Sequence, residues 1–241
     1  MVSPGHAHGD DLARLVELAA PRPTDRALDV STGGGHVALA LASHVARVTA
    51  SDLTPAMLAA ARRHLSAHGA TNVDYVVADA EHLPFLDASF DLVTVRIAPH
   101  HYPDAAAAVR EMARVLAVGG RLVAIDNIAP DDPQLDALLN EWERRRDPSH
   151  IRAYTVGEWR AFVAAAGLRL DVIETGAKAH AFAPWAERMR MPADAQAALE
   201  RDMLAAPSHA HDYFRLRERD GRLESWSAEY VILSATKGSG D

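Results

Sequence analysis

Cysteine is absent from the 241-residue sequence. Disulfide bonds, thiolate metal sites and cysteine nucleophiles are therefore excluded. Hydrophobic residues make up 49% of the chain, which is enough for a full core in a protein of this length. We expect a single domain over residues 1–241 with an elaborated C-terminal part.

Long apolar runs are also absent. No stretch reaches the roughly 18 apolar residues that a membrane-spanning helix needs. Residues 1–6 lack the basic and then apolar order of a signal peptide. We therefore expect a soluble, cytoplasmic protein with no membrane span.

Positive charge is scarce. The chain has 25 Lys and Arg residues against 33 Asp and Glu residues, a formal net charge of -8. Its basic cluster, Arg144–Arg146, is flanked by Glu141, Glu143 and Asp147 and predicts a solvated helix face. Since a nucleic-acid partner requires an extended basic surface, we expect none.

The chain does contain a glycine turn between a strand and a helix. Residues 26–30 predict a short buried strand, Gly33–Gly35 lack Cβ atoms, and an Ala/Leu-rich helix follows at once. Glycine lets a ligand approach the backbone, and the first turn of a helix offers unpaired N–H groups. Such a turn is typical of nucleotide binding.

The glycines alone leave two ligands open. Gly33, Gly35 and Ala38 match the G-x-G-x-x-G/A pattern of dinucleotide binding. Asp29, at the end of the strand, is better suited to an ammonium group than to a pyrophosphate. An NAD-dependent dehydrogenase is therefore kept as the lesser alternative.

Residues 29–35, Asp-Val-Ser-Thr-Gly-Gly-Gly, resemble motif I of the class I S-adenosylmethionine (SAM)-dependent methyltransferases, D-x-G-x-G-x-G. Ser31 stands where that family usually has glycine. The resemblance continues through D-A-S-F-D-L-V at residues 87–93 and R-V-L-A-V-G-G at residues 114–120, and it weakens beyond Asp126. The sequence is most similar to the type 11 group, which includes the ubiquinone/menaquinone biosynthesis C-methyltransferases.

The resemblance implies an α/β fold: a doubly wound, mostly parallel, seven-stranded sheet with a helical insertion near the C-terminus. It further implies a SAM-binding core at about residues 10–128 and an acceptor-binding or lid elaboration at about residues 129–212. Within the latter, residues 182–204 are expected to form either a lid over the acceptor or a homodimer contact.

The expected cofactor is SAM, with no metal. Asp52 follows the glycine turn by about 20 residues, where doubly wound folds place a carboxylate for the ribose hydroxyls. The resemblance implies that Asp79 and Ala80 contact the adenine edge and that Leu53 and Met57 flank its faces. The full expected set of cofactor-binding residues is Asp29, Ser31, Gly33, Gly35, Asp52, Leu53, Met57, Asp79, Ala80, Arg96 and Ile97.

The expected partner is a small-molecule acceptor, methylated by in-line displacement. His100 and His101 are the candidate catalytic residues because an imidazole titrates near neutral pH. Asp126, at the end of the next strand, is the second-choice polar group for the acceptor, with a loop carboxylate of no such role as the alternative. The resemblance implies that His6 or His8 lies near the pocket, and the favoured alternative is a terminal tail in which these histidines have no role. A protein that binds SAM without transferring methyl is an open alternative.

Three predictions concern later elements. Residues 121–125 predict a fifth strand, preceded by a helix over residues 104–116 that is ended by the glycines of residues 117–120. Residues 213–218 and 224–236 predict two strands joined by a hairpin at Asp220-Gly221.

Overall fold

The computed structural model describes residues 10–239, so His6 and His8 lie outside the described residues. The strands are β1 (Arg26–Val30), β2 (Arg47–Asp52), β3 (Val73–Val77), β4 (Phe90–Arg96), β5 (Leu116–Asn127), β6 (Leu168–Ala181), β7 (Arg217–Arg219) and β8 (Arg222–Lys237). The helices are α1 (Asp10–Ala19), α2 (His36–Ala42), α3 (Pro55–Ala67), α4 (Ala105–Val115), α5 (Pro133–Arg146), α6 (Val156–Ala165), α7 (Phe182–Glu187), α8 (Ala193–Leu204) and α9 (Ser208–Tyr213).

Seven of the described strands form an open sheet in the order β3-β2-β1-β4-β5-β8-β6, and the short β7 pairs with β8. The first five strands of this order run parallel. β8 is antiparallel to both β5 and β6. The predicted doubly wound, mostly parallel α/β fold is confirmed, with β7 as an eighth strand. Its order reverses beside β1, so the carboxyl ends of β1 and β4 flank a crevice.

Helices cover both faces of the sheet because successive strand residues point to opposite sides. In β1, Leu28 and Val30 pack with α4 and α6, while Ala27 packs with α1, α2 and α3. Side-chain caps fix the beginnings of two of these helices. Asp104 Oδ1 accepts from Ala107 N at 2.8 Å before α4, and Thr155 begins α6 with a capping box.

A third cluster of buried residues lies outside this two-layer arrangement. It unites α5, α7, α8 and α9 with β8, and Trp142, Trp185, Phe214 and Trp226 are each at most 2% exposed. This cluster is the predicted helical insertion. Its aromatic side chains meet at centroid distances of 4.8–6.4 Å, so the insertion is a packed body with its own core.

Two boundary predictions were wrong. β5 begins at Leu116, directly after α4, and Gly119 and Gly120 lie within the strand. The ladder with β4 passes from Leu116 to Arg121, and a Cβ on Gly120 would lie 2.9 Å from Asp91 O. These glycines therefore form a bulge and do not stop a helix.

The hairpin was predicted at the right turn but with one strand too long. Asp220 and Gly221 both have positive φ, 51° and 75°, as a tight turn between β7 and β8 requires. Tyr213, however, ends α9. Within residues 10–239, no helix is both long and apolar enough to cross a membrane.

Candidate active site

Two glycines of the turn after β1, Gly33 and Gly35, have different structural roles. A Cβ on Gly35, where φ is 81°, would lie 2.3 Å from Leu65 Cδ1, so this glycine allows α2 to pack against α3. A Cβ on Gly33, where φ is 54°, would meet only Met57 Cε at 3.7 Å and Ser31 O at 4.0 Å. Gly33 lines the large cavity described below, whereas Gly35 does not.

Asp29 is a buried carboxyl group at the tip of β1, 1% exposed. Thr32 Oγ1 donates to its Oδ2 at 2.6 Å, and Thr94 Oγ1 donates to its Oδ1 at 3.0 Å. Burial raises the pKa of Asp29 to about 6, although both threonine hydroxyls act in the opposite direction. A cationic ligand group beside Asp29 would therefore favour its charged form.

Asp52 connects the glycine turn to the next strand. Its Oδ2 accepts from Gly33 N at 3.0 Å and its Oδ1 accepts from Thr54 N at 2.9 Å. A carboxylate has about four acceptor positions, so both oxygens keep capacity for a ligand. This side chain does not line the cavity itself.

Apolar side chains lie exposed beside Asp52. Val77 is its register partner on β3 and is 54% exposed, and Leu53 is 66% exposed. Met57, on α3, is 36% exposed and lines the cavity. Exposed apolar side chains of this size at two adjacent strand ends provide a surface on which a flat apolar ring can pack.

Two predicted adenine contacts follow the end of β3. Asp79 is partly exposed, and its Oδ1 accepts from Glu81 N at 2.9 Å. Ala80 is buried. Neither residue lines the cavity, although both follow the same edge of the sheet as Asp52.

The end of β4 carries backbone strain. Ile97 has a φ of 53°, a conformation that is rarely adopted by β-branched residues. Its N–H donates to Ile125 O at 2.7 Å, which holds the bend. Arg96 donates to Asp11 Oδ2 at 2.7 Å and ties α1 to this corner.

Ser31 also has a positive φ, 53°, which explains why glycine is usual at this position of motif I. Its Oγ lies 2.6 Å from Tyr102 Oη. Tyr102 is buried, and burial raises the pKa of its hydroxyl. The hydroxyl pair therefore connects the glycine turn to the loop after β4, a contact that sequence analysis did not predict.

His100 lies in a single 3-10 turn, Pro99–His101, after β4. Its backbone N–H donates to Asp126 Oδ2 at 2.7 Å, and its Nδ1 donates to Asp126 Oδ1 at 2.6 Å. Burial disfavours the imidazolium, but the Asp126 carboxylate outweighs it and the pKa of His100 is raised. Asp126 is fully buried, so it acts on His100 and not directly on a ligand. The ring is thereby fixed with Nε2 as its remaining nitrogen.

His101 and His150 surround His100. His101 Nδ1 donates to Ser149 O at 3.0 Å, and burial together with the charge of His100 lowers its pKa. The His150 ring centre is 5.4 Å from that of His100. Backbone N–H groups of Ile151 and Arg152 donate to His100 O and hold this loop in place.

The protonation state of His150 follows from its partner. Asn140 Oδ1 accepts from Ala153 N at 2.7 Å and lies 2.8 Å from His150 Nε2, so this ring nitrogen is the donor. Burial, and then the charges of His100 and His101, lower the pKa of His150 to about 3. His150 is neutral at physiological pH.

These features meet in a cavity of about 920 Å³. Eight of the residues predicted from sequence line it: Asp29, Ser31, Gly33, Met57, Arg96, Ile97, His100 and His101. Five do not: Gly35, Asp52, Leu53, Asp79 and Ala80. The cavity thus extends from the glycine turn to the histidines.

Sequence analysis missed the opposite wall of the cavity. It is formed by charged and aromatic residues from α5, β6, α7 and the loops beside them: Glu143, Arg146, Asp147, His150, Lys178, His180, Trp185, Glu187, Arg188 and Arg190. The motif resemblance does not reach these segments. The one local signal was Trp185-Met189-Met191, which predicted a lid or a dimer contact.

The fold and this site together define the class of protein to which the chain belongs. A class I methyltransferase is expected to have a doubly wound sheet, an acidic residue before the glycine turn, a carboxylate at the next strand end and a large adjoining cavity. This chain has all four features. The comparisons with known proteins agree with that class.

Residues 28–124 match the Methyltransferase domain family. The uncharacterized methyltransferase YcgJ of Bacillus subtilis is 35% identical over 232 residues, covering 96% of this chain and 92% of YcgJ. The crystal structure of the Bacillus halodurans protein BH2331 has a TM-score of 0.94 and 38% identity, covering 96% of this chain and all of that chain. Demethylmenaquinone methyltransferase of Thermus thermophilus is 35% identical over 188 residues, 69% of this chain and 85% of that enzyme.

This chain belongs to the methyltransferase family and is an enzyme of its SAM-dependent class. The predicted resemblance is thereby confirmed.

Proposed function

We propose that this protein transfers the methyl group of SAM to a small-molecule acceptor by in-line displacement. In this proposal, about residues 10–128 hold the cofactor and about residues 129–212 hold the acceptor, within one domain. The observation that carries the proposal is the shared cavity, because its lining includes both Gly33 of the glycine turn and His100.

The side chains present fit SAM. Asp29 would pair with the ammonium group, whose positive charge would favour the ionised form of a carboxyl group whose pKa burial raises to about 6. Asp52 would accept from the ribose hydroxyls while holding Gly33 N. Leu53 and Met57 would flank the adenine, whose edge would contact Asp79 and Ala80.

When bound, SAM supplies a sulfonium-activated methyl group with its leaving group in place. The protein has to align the acceptor with that methyl at about 3–3.5 Å and exclude water. The strained bend at Ile97 and the buried ring of Trp185 line the cavity and provide rigid, apolar walls for this purpose.

An acceptor that arrives protonated also requires a base. His100 Nε2 would take that proton, because Nδ1 donates to Asp126 and orients the ring. The buried Asp126 carboxylate would then stabilise the resulting imidazolium. His101 donates its Nδ1 proton to Ser149 O, so in this proposal it orients the loop and does not act as the base.

Equilibrium titration tests the cofactor. We expect SAM and S-adenosylhomocysteine to bind much more tightly than NAD, and tighter binding of NAD would overturn the proposal in favour of a dehydrogenase. Incubation with methyl-labelled SAM and an acceptor panel tests the reaction. Labelled product is expected from a small organic acceptor, whereas conversion of an acceptor without label incorporation would support an enzyme that binds SAM for another purpose.

A further inference from the structure

Two arginines at the acceptor end of the cavity lie near one carboxylate, that of Glu143. Arg146 Nη1 donates to Glu143 Oε2 at 2.6 Å, and its guanidinium lies 4.9 Å from the centre of the Trp185 ring. Arg188, at the C-terminal end of α7, lines the same cavity. Within residues 10–239 its side chain forms no hydrogen bond and no ion pair.

The charge of Arg188 is poorly compensated. Burial and the neighbouring charge of Arg146 lower its pKa, and Glu143 is the carboxylate that opposes them. Glu143 is already bonded to Arg146. Glu187 also lines the cavity, but in the described part of the chain it forms no ion pair with Arg188. Arginine cannot relieve this repulsion by losing its proton under physiological conditions.

A third arginine lines the same cavity. Arg190 follows α7 with a φ of 54°, lines the cavity and makes no ion pair with any described residue. Repulsion between the Arg146 and Arg188 guanidinium groups is relieved when an anion binds to both of them. A planar fork of donors suits the paired oxygens of a carboxylate or a phosphate.

Apolar side chains also line this part of the cavity. Trp185 is 2% exposed, and Ala228 and Met189 line the cavity next to it. A ligand that fits both features has an apolar body and one anionic end. We propose that the methyl acceptor is such a molecule and that Arg188 and Arg146 bind its carboxylate or phosphate group; this inference rests on the proposed function.

Anchoring at this end directs the rest of the acceptor toward His100. Glu143, which bonds Arg146, is also near enough to His100 to help raise the pKa of that imidazole. The anion site and the candidate base therefore belong to one continuous wall. An acceptor held at its anionic end has its opposite end free to meet the methyl group.

The test uses protein saturated with S-adenosylhomocysteine and three probes of similar size: benzoate, phenyl phosphate and neutral benzamide. Calorimetry is expected to show binding of at least one anionic probe, roughly tenfold or more tighter than benzamide. The anion that binds more tightly shows whether the acceptor carries a carboxylate or a phosphate group. Arg188→Gln should lower the affinity for that anionic probe by about tenfold, whereas Arg188→Lys should retain part of this affinity.

Arg169→Gln is the matched control, because Arg169 is an exposed arginine at the start of β6 that pairs with Asp171. It should leave the affinity for the anionic probe unchanged. Affinity for S-adenosylhomocysteine should stay within about twofold in the Arg188 variants, which also shows that they fold.

Three results would overturn the inference: equal binding of benzamide and the anions, an Arg188→Gln protein that binds the anion normally, or competition between the anion and S-adenosylhomocysteine. The last would mean that the anion occupies the cofactor's own site. Failure of the wild-type protein to bind S-adenosylhomocysteine would instead contradict the proposed function, so the two failures are distinguishable.

Discussion

The two ends of the cavity are built differently. The glycine-turn end is formed by residues at the tips of adjacent parallel strands, such as Asp29 and Gly33, and hydrogen bonds join them directly to one another or to the neighbouring strand. The histidine end combines the loop after β4 with α5, α7 and the loop that carries His150. A parallel sheet supplies the first end in any protein of this fold, whereas the second depends on the insertion. Acceptor specificity is therefore expected to lie in the insertion.

The electrostatics differ in the same way. Asp29 is a buried acid, and burial raises its pKa to about 6 although the charge of Arg96 acts in the opposite direction. His100 is a buried base beside a carboxylate, so its pKa is raised as well. A cationic ligand would stabilise the charged form of Asp29 at one end, whereas His100 at the other end can accept a proton. Substitutions at the two ends of the cavity separate these two roles.

The largest expected effect is on the rate of methyl transfer. His100→Gln should lower the single-turnover rate by about 10²–10⁴-fold for an acceptor that must lose a proton, because a positioned base contributes that much. SAM affinity should be unchanged. The pKa of His100 is raised above its ordinary value of 6.5. The wild-type rate should therefore increase as the pH rises above 6.5 and passes through the raised pKa, because the imidazole then becomes neutral.

His101→Gln is the control for this experiment, because His101 is adjacent but donates its Nδ1 proton to a backbone carbonyl. A larger loss of rate in His101→Gln than in His100→Gln would reverse the assignment of the base.

The glycine turn offers a matched pair of substitutions. Gly35→Ala should lower the free energy of unfolding by about 2–4 kcal/mol, since the new Cβ meets Leu65 Cδ1 at 2.3 Å and the positive φ adds strain. Gly33→Ala should cost only about 1–2 kcal/mol in stability but should weaken SAM binding. Denaturant unfolding and cofactor titration measure the two effects. Equal destabilisation by both substitutions would contradict this division of roles.

Asp52→Ala should weaken SAM binding by roughly 1.5–3 kcal/mol if the carboxylate accepts from the ribose hydroxyls. Loss of its bond to Gly33 N contributes to the same change. Asp74→Ala is a suitable control, because Asp74 lies on the neighbouring strand and pairs with Arg47 at the surface. Unaltered affinity in Asp52→Ala would refute the ribose role.

The smallest effect concerns acid stability. The pKa of His150 falls to about 3 in the folded protein, against about 6.5 in an unfolded chain. The unfolded state therefore binds more protons below pH 6.5, and His150 destabilises the fold by about 1 kcal/mol as pH decreases from 6.5 to 5.5. Asp29 acts in the opposite direction below pH 6, because its raised pKa makes the folded state bind more protons there.

Because other groups also titrate in this range, the effect of His150 is measured as the difference in free energy of unfolding between wild type and His150→Gln. Urea unfolding of wild type and His150→Gln at pH 7 and pH 5.5 should show a smaller loss on acidification in the variant. Parallel pH dependences in the two proteins would mean that the buried ring of His150 is not the responsible group.

Much of the first end of the cavity was predictable from sequence, because strand periodicity and glycine turns are local signals. β1 and β3 begin and end at the predicted residues, and Asp52 follows the turn at the expected spacing. The bulge at Gly119 and Gly120 was not predictable, since glycine is equally suited to ending a helix and to a strand position that contacts a neighbouring backbone.

The second end was largely hidden from sequence analysis. His100 was proposed, but its dependence on Asp126 requires two strand ends to be adjacent. His150 and Arg188 carry no local pattern that distinguishes them from loop or surface residues. Their proximity to His100 depends on aromatic packing in the insertion, which is a contact between distant segments.

The amino-acid sequence by itself determined the alternation of strands and helices, the left-handed glycine turn after Asp29 and the order of acidic strand ends. Each of these depends on residues within a few positions of one another. Only the tertiary structure decided which side chains share the cavity and what charge they carry. Burial and the proximity of groups far apart in sequence set the pKa values of Asp29, His100 and His150, and neither exists before the chain is folded.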